Sequence, residues 1–199
     1  KIGPNDFIDV YKPGNHSIKA LDYGCGIGCN TILMEEFGID VYALDISKNA
    51  VDTARKLAKL AEFHDLTDRI NVTEGDTLNF KDGEFDFVLC DSVLDSMHFE
   101  LAKAIFNEFC RIAKKYIFIC SISGNDSNHY REYAGDEIVQ TLHEQGTVQS
   151  YYNYSRIEQL IHGTNFSLKW GCLISEESIV QKSVASRYWL LFELDEDKI

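Results

Sequence analysis

The chain has 199 residues, 45% of them hydrophobic, and contains only 2 prolines, which is typical of one globular domain with a sizeable core. Its formal net charge of −13 argues against a nucleic-acid partner, because affinity for nucleic acids comes mainly from Lys and Arg at the phosphates. No run approaches the ~20 apolar residues of a membrane span, and no secretory leader opens the sequence, so we expect no membrane partner.

Short apolar runs alternate with helical patterns along the first part of the chain. Runs at 18–23, 40–45, 69–74, 85–91 and 116–122 are predicted as strands, the third of them ending near Glu74. Helices are predicted at 30–38 and at 47–63, where Ser47 stands as N-cap. A third helix precedes the fifth strand, and six of its apolar residues are expected to face inward: Leu101, Ala102, Ile105, Phe106, Phe109 and Ile112.

The last part of the chain gives a less regular pattern. Residues 136–143 are predicted as a helix. Residues 155–163 are predicted as another, with Ser155 and Glu158 as a capping box and Gly163 as the stop. Strands at 167–175 and 187–194 follow, joined by a polar segment at 176–186. Because no clear helix separates these two strands, we expect an antiparallel hairpin at one edge of the sheet.

Nearly continuous apolar strands separated by helices predict an α/β fold. We expect a doubly wound, Rossmann-like sheet of about seven strands, mostly parallel with an antiparallel edge strand, with helices on both faces. Residues 1–199 are expected to form a single domain. Ligands of such sheets bind beyond the carboxyl ends of the strands. The segments to watch are therefore 22–28, 45, 75–76, 91–98 and 121–131.

The 6 cysteines are scattered and indicate reduced thiols rather than a disulfide framework. Cys25 and Cys29 lie close in sequence, but no His or second cysteine pair completes a zinc site around them. We therefore expect no metal and a cytoplasmic location.

Three glycines, Gly24, Gly26 and Gly28, directly follow the first predicted strand and indicate a turn whose backbone approaches a ligand. Dinucleotide sites use G-x-G-x-x-G, and the position that this pattern requires as glycine is Cys29 here. Asp22 would oppose a pyrophosphate and favour a cation. S-adenosylmethionine fits these features, since it carries a sulfonium and an ammonium and has no phosphate.

The stretch ALDYGCGIGCNT resembles motif I of the class I S-adenosylmethionine-dependent methyltransferases, an apolar strand followed by D-x-G-x-G-x-G. Further features come in the family's order: the acid that ends VYALD, the segment EGDTLNF and the fourth strand in FDFVLCDSVL. The resemblance covers residues 18–122 and implies S-adenosylmethionine as cofactor. The cofactor-binding residues that it implies are Asp22, Gly24, Cys25, Gly26, Gly28, Asp45, Ile46, Asp76, Thr77 and Asp91.

The resemblance assigns Asp45 to the ribose hydroxyls and Asp76 to the adenine amino group. Each acid also has a purely structural interpretation: Asp45 can begin a helix, Asp76 can belong to a turn, and Asp22 can brace the glycine loop. Because these acids come in order at consecutive strand ends, the ligand-binding interpretation is favoured over the structural one.

Methyl transfer needs a general base only when the nucleophile must lose a proton. Candidate catalytic residues are Asp91, His98 and His129, which follow the fourth and fifth strands. His129, Tyr130 and Tyr151 are candidates for substrate binding, because tyrosine has an apolar face and a polar tip. The alternatives are solvated histidines, and aromatic packing that fixes a helix to the sheet.

The sequence therefore predicts in-line methyl transfer from S-adenosylmethionine to a small molecule or metabolite. The stretch CDSVLDS after the fourth strand lacks the Asn/Asp-Pro-Pro-aromatic motif of DNA amino-methyltransferases, which argues against nucleic-acid bases. A protein substrate is an alternative acceptor. A non-catalytic module of the same fold, which binds the cofactor or a partner, is an alternative function. An NAD-dependent oxidoreductase is disfavoured by the glycine spacing.

Overall fold

The computed structural model describes residues 17–73, 77–125, 129, 132–140, 142 and 145–196. The strands are β1 (Lys19–Tyr23), β2 (Asp40–Asp45), β3 (Ile70–Val72), β4 (Phe85–Asp91), β5 (Ala113–Ile122), β6 (Gly135–Ile138), β7 (Val148–Tyr151), β8 (Phe166–Ser178) and β9 (Ser183–Leu194). The helices are α1 (Cys29–Glu36), α2 (Lys48–Leu60), α3 (Phe99–Ile112) and α4 (Tyr154–Ile161), with short 3-10 turns at Asp65–Arg69 and Leu94–Ser96.

Seven of these strands form one sheet in the order β3-β2-β1-β4-β5-β9-β8. Strands β1 to β5 are mutually parallel, and β9 pairs antiparallel with both β5 and β8. The predicted fold class is confirmed, with the antiparallel hairpin at one edge. Strands β6 and β7 form a separate two-stranded hairpin. None of the described helices combines the length and apolarity that crossing a bilayer requires.

Helices cover both faces of the sheet, and each face has its own core. On one face α1 and α2 pack through buried residues such as Met34, Val51 and Ala54. On the other face α3 and α4 contribute a larger aromatic core that includes Phe106 and Phe109. Apolar strands buried on both sides explain why their sequences show no polar alternation.

Helix α2 begins as predicted, because the Ser47 side chain accepts a hydrogen bond from Ala50 N at 3.3 Å. The predicted capping box of α4 is wrong. Asn153 is the N-cap and accepts from Arg156 N at 2.9 Å, while Ser155 lies inside the helix. The inward face predicted for α3 is confirmed except at Leu101, which is 43% exposed because it lies one residue round the helix from buried Ala102.

The helix predicted at 136–143 is wrong. Residues Gly135–Ile138 form β6 and pair with Val148–Tyr151, so distant strand pairing overrides the local helical pattern. The polar connection predicted at 176–186 is also mostly strand. Strands β8 and β9 remain paired as far as Ser178 and Ser183, which leaves 179–182 as the turn.

Candidate functional site

The glycines after β1 all have positive φ, and each has a different physical reason. A Cβ on Gly24 would lie 2.1 Å from Val93 Cγ2, and one on Gly28 would lie 3.0 Å from Ala54 Cβ on α2. A Cβ on Gly26 would meet nothing within 4 Å. Gly24 and Gly28 are therefore needed for packing within the protein, whereas Gly26 borders open space where a ligand could approach.

Asp45, at the carboxyl end of β2, holds the glycine loop. Its two oxygens accept hydrogen bonds from Gly26 N and Ser47 N, each at 2.8 Å. The Leu44 carbonyl next to it accepts from Gly24 N and Cys25 N. Each Asp45 oxygen keeps a second lone-pair direction, so this carboxylate can still accept from two ligand hydroxyls.

Two apolar side chains stand exposed beside this loop. Ile46, directly after Asp45, is 79% exposed, and Ile27 in the glycine loop is 49% exposed. An apolar side chain on solvent next to a polar cradle can pack against a flat ring. This is the kind of surface on which a nucleoside base could rest.

Asp22 lies buried at the end of β1, where Thr31 Oγ1 of α1 donates to it at 2.5 Å. Burial raises the pKa of Asp22 from its usual 3.8 to about 6. The Thr31 hydrogen bond opposes this shift, and the charges of Asp91 and Asp45 add to it. Asp22 therefore braces the glycine loop through Thr31, as its structural interpretation predicts. Its carboxylate also interacts electrostatically with those of Asp91 and Asp45.

Asp91 ends β4, beside the glycine loop. Its carboxylate accepts from Asn30 Nδ2 at 3.3 Å and from Ser92 Oγ at 2.9 Å. Within the described part of the chain, no Lys or Arg forms an ion pair with Asp22, Asp45 or Asp91. Three close carboxylates without a protein cation suit a positively charged ligand and oppose a diphosphate.

Behind Asp91, a polar network ties β4 to the far strand β9. Ser92 has a φ of 61°, a conformation rare for residues other than glycine. Arg187 Nη1 donates to Ser92 Oγ at 2.9 Å and to Asp95 Oδ2 at 3.3 Å. Asp95 is buried and also accepts from Ile122 N at 2.7 Å. The segment after β4 is thus fixed by contacts with β5 and β9.

His98 lies at the N-terminus of α3 with its side chain 64% exposed. Its Nδ1 is 3.3 Å from Asp136 Oδ2, and the same oxygen accepts from Phe99 N at 3.0 Å. The other oxygen of Asp136 accepts from Ser150 Oγ and Arg156 Nη1, both at 2.8 Å. A carboxylate that orients one imidazole nitrogen leaves the other available to accept a proton.

His129 is placed differently, in an aromatic cluster. It stacks on Tyr133 with 4.0 Å between ring centroids and meets the edge of Tyr151 at 4.4 Å. Its Nε2 is buried without a hydrogen bond and lies 3.4 Å from Glu137 Oε2. Tyr151 is itself buried. These contacts favour a packing role for both residues over substrate contact.

The remaining predicted site residues are Asp76, Tyr130, Thr77 and Cys25. Asp76 and Tyr130 lie outside the described residues. Thr77 is described and exposed. Burial raises the pKa of the Cys25 thiol to about 12, so its backbone rather than its sulfur is available to a ligand. Among the described residues, no group of three or more His, Cys, Asp or Glu is arranged to hold a metal ion.

Sequence reasoning missed several residues of this edge. Asp136 fell in the segment predicted as a helix, and Arg187 in the hairpin was treated only as strand. No local pattern marks either residue, because their partners lie 38 and 95 positions away along the chain. The sequence signal for Arg187 is a charged residue at the start of an otherwise apolar predicted strand, and this signal is weak.

Comparison with known proteins finds methyltransferases among both the sequence matches and the structural matches. A family model described as a methyltransferase domain matches residues 21–119. Ubiquinone biosynthesis O-methyltransferase of Acinetobacter baylyi is 24% identical over 159 residues, which are 79% of this chain and 65% of that protein. The 2-methyl-6-phytyl-1,4-hydroquinone methyltransferase of Synechocystis is 35% identical over 82 residues, which are 41% of this chain and 24% of that protein. This chain spans less than two thirds of the length of either curated relative.

The fold of one solved structure matches that of this protein along nearly the whole chain. The crystal structure of a methyltransferase from Methanosarcina mazei that depends on S-adenosylmethionine matches with a TM-score of 0.75 and 18% identity. The match covers 94% of this chain and 96% of that one. At this identity the likeness establishes the fold.

Proposed function

We propose that this chain, whose residues 21–119 match a methyltransferase-domain family model, transfers the methyl group of S-adenosylmethionine to a small-molecule acceptor. One observation carries this proposal. Asp45 holds Gly26 N and Ser47 N beside the open space at Gly26, and the neighbouring acids pair with no described Lys or Arg. Such a cradle suits a phosphate-free nucleoside with a positive charge.

The residues present fit this cofactor, which when bound supplies a methyl group activated by a positive sulfonium. In the proposed complex Asp45 accepts from the ribose hydroxyls, and exposed Ile46 packs against the adenine. The backbone at Gly24, Cys25, Gly26 and Gly28 lies along the methionine part, while Asp22 and Asp91 provide negative charge. Asp76 and Thr77 are proposed for the adenine side of the site.

We propose His98 as the proton acceptor when the nucleophile is a hydroxyl. Its support is the contact with Asp136 and the exposed ring, whereas His129 is held between tyrosines. Asp91 is better explained as part of the cofactor site, through Asn30 and Ser92. A His98→Gln variant should lower kcat with little change in KM for the cofactor, and an unchanged kcat would remove this role.

Several wider expectations belong to the same proposal. The names of both curated relatives describe small-molecule methyltransferases, which supports a metabolite acceptor. All 6 cysteines are free, which supports a reducing, cytoplasmic location. A single sheet joins Lys19 to Leu194, which supports one domain over residues 1–199. The charge of −13 supports partners other than nucleic acid.

A cofactor-binding assay tests the proposal directly. S-adenosylhomocysteine at about 100 times its Kd should stabilise the fold by about 2.7 kcal/mol, a Tm increase of roughly 5–10 °C for this length. Asp45→Ala should remove most of this increase. Asp52→Ala is the matched control, since Asp52 is an exposed acid on α2 that pairs with Lys48. No shift in the unmodified protein at millimolar cofactor would overturn the proposal.

Turnover separates an enzyme from a binding module of the same fold. Formation of S-adenosylhomocysteine with members of a metabolite panel, lost in Asp45→Ala, is the outcome that we expect. A protein that binds the cofactor but methylates no small molecule or protein offered to it would favour the non-catalytic alternative.

A further inference from the structure

A small pocket opens beyond the carboxyl end of β5, away from the glycine loop. Its volume is about 250 Å³, close to that of roughly eight water molecules. The described residues that line it come from four parts of the chain: Asn125, Glu132, Tyr154, Leu173 and Tyr188.

Strand register relates this pocket to the proposed cofactor site. Asp91 of β4 pairs with Cys120 of β5, and the next residue of β5, Ser121, pairs with Tyr188 of β9. Two strand spacings therefore separate the backbones of Asp91 and Tyr188, which is about 10 Å. A metabolite of ordinary size can span this distance along the carboxyl edge of the sheet.

The pocket has two aromatic walls. Tyr154, the first residue of α4, is 63% exposed and meets the ring of buried Tyr188 edge to face, with 5.7 Å between centroids. Leu173 of β8 adds an apolar surface beside them. Aromatic rings with an open face attract cations as well as other rings.

Glu132 contributes the charge of the pocket. Among the described residues, no Lys or Arg lies in an ion pair with Glu132. Its φ of 70° is unusual for a glutamate, and Asn153 Nδ2 holds its carbonyl oxygen at 2.8 Å. Burial raises the pKa of Tyr188, a hydrogen bond with the Ser123 side chain opposes this shift, and the charges of Tyr154 and Glu132 add to it.

We propose that this pocket anchors a positively charged amino or quaternary ammonium group of the methyl acceptor, between Glu132 and the rings of Tyr154 and Tyr188. The proposal rests on the proposed function, since it takes the pocket as the far end of the acceptor site. The nucleophilic atom lies at the other end of the acceptor, up to about 10 Å away towards Asp91.

The charge of the protein and the residues that line the pocket favour a cationic ligand over an anionic one. Among the described residues that line the pocket there is no Lys or Arg, so a carboxylate or phosphate would meet Glu132 without a counter-charge from them. The net charge of −13 also attracts cations towards the protein from solution. A neutral aromatic ring would use the tyrosines but leave the carboxylate unused.

Two probes of equal shape separate these possibilities. Choline carries a quaternary ammonium, and 3,3-dimethylbutan-1-ol is its neutral counterpart of the same size. Titration of the whole chain without cofactor, followed by amide NMR signals at 154 and 188, should show choline binding at least tenfold more tightly. Equal affinity for the two probes would overturn the proposal, as would tighter binding of the neutral one.

Variants locate the binding. Glu132→Gln should lower choline affinity about tenfold and leave the neutral probe unchanged, while Tyr154→Leu should weaken both probes. Glu158→Gln is the matched control, because it removes the same charge from an exposed position further along α4. Choline binding that survives Glu132→Gln, or that falls equally in Glu158→Gln, would contradict this pocket.

The test is independent of the cofactor assay. Choline binding without cofactor binding would refute the proposed function and keep the cation pocket. Cofactor binding without charge-selective choline binding would refute the pocket and keep the proposed function.

Discussion

The carboxyl edge of the sheet has a cofactor half around Asp22, Gly26 and Asp45 and an acceptor half around His98, Asp95 and Asp136. The contacts that hold the two halves span very different separations along the sequence. In the cofactor half, Asp22 meets Thr31 across 9 positions of sequence and Gly26 meets Asp45 across 19. In the acceptor half, His98 meets Asp136 across 38 positions and Asp95 meets Arg187 across 92. The first half is assembled mainly within successive strand–turn–helix units, with the contact from Asn30 to Asp91 across 61 positions as an exception, whereas the second half depends on the completed sheet.

This difference predicts how many elements a single substitution affects in each half. The glycine loop is fixed by its own backbone, by Leu44 and by Asp45, so a substitution there acts locally. The acceptor half takes its shape from side chains that join α3, β6, α4 and β9, so one substitution affects several elements. Three experiments can break or sharpen this comparison.

The largest effect is expected in the glycine loop, at Gly24. Gly24→Ala places a Cβ 2.1 Å from Val93 Cγ2 and forces alanine into φ 77°, which should destabilise the protein by about 3 kcal/mol. Gly26→Ala meets no neighbour within 4 Å and should cost about 1 kcal/mol, for its positive φ alone. Chemical denaturation measures both.

The two glycine variants should also separate folding from binding. Gly26→Ala should lose most of the Tm increase produced by S-adenosylhomocysteine although it folds, because its methyl group fills the space left for the ligand. Equal destabilisation by the two variants would contradict the division between packing glycines and a ligand-facing glycine.

The range of the contacts also explains what could be predicted from the sequence. Strands β2 and β4 were predicted with their observed bounds, and Ser47 was identified as a cap, because apolar runs and caps are local signals. Residues 136–143 were predicted wrongly, because their strand exists only through pairing with Val148–Tyr151. The pocket around Glu132 could not be predicted at all, since four separate parts of the chain form it.

A second, smaller effect is expected at Asp136 in the acceptor half. Asp136→Asn keeps the shape but weakens the bonds with Phe99 N, Ser150 and Arg156, which should cost about 1–2 kcal/mol in denaturant. Asp82→Asn is the control, since Asp82 is 85% exposed and pairs with Arg111 on the surface, where the cost should stay below about 0.5 kcal/mol.

Acid should reduce the difference in the free energy of unfolding between Asp136→Asn and the unmodified protein. Burial alone would raise the pKa of Asp136, but the hydrogen bonds from Phe99, Ser150 and Arg156 outweigh it and lower the pKa to about 2. Because the folded pKa lies below the usual 3.8, the stabilisation is complete above about pH 4 and is lost as the pH falls towards 2. A constant difference between Asp136→Asn and the unmodified protein from pH 5 to 2 would contradict this assignment.

The smallest effect is expected in the cofactor half, where the charge of Asp22 should distinguish the cofactor from its demethylated product. The pKa of Asp22 is raised to about 6, so without ligand its contribution to stability is greatest below about pH 4 and is lost as the pH rises through 6. Above pH 6 the ionised carboxylate should favour the sulfonium of S-adenosylmethionine over the neutral sulfur of S-adenosylhomocysteine.

At the effective dielectric near a protein surface, this preference for S-adenosylmethionine should change by about fivefold between pH 5 and 7.5. Calorimetric titration of both ligands measures it, and Asp22→Asn, which keeps an acceptor for Thr31, should make the ratio independent of pH. A ratio that changes equally in both proteins would show that a group other than Asp22 produces the effect and would contradict this role for Asp22.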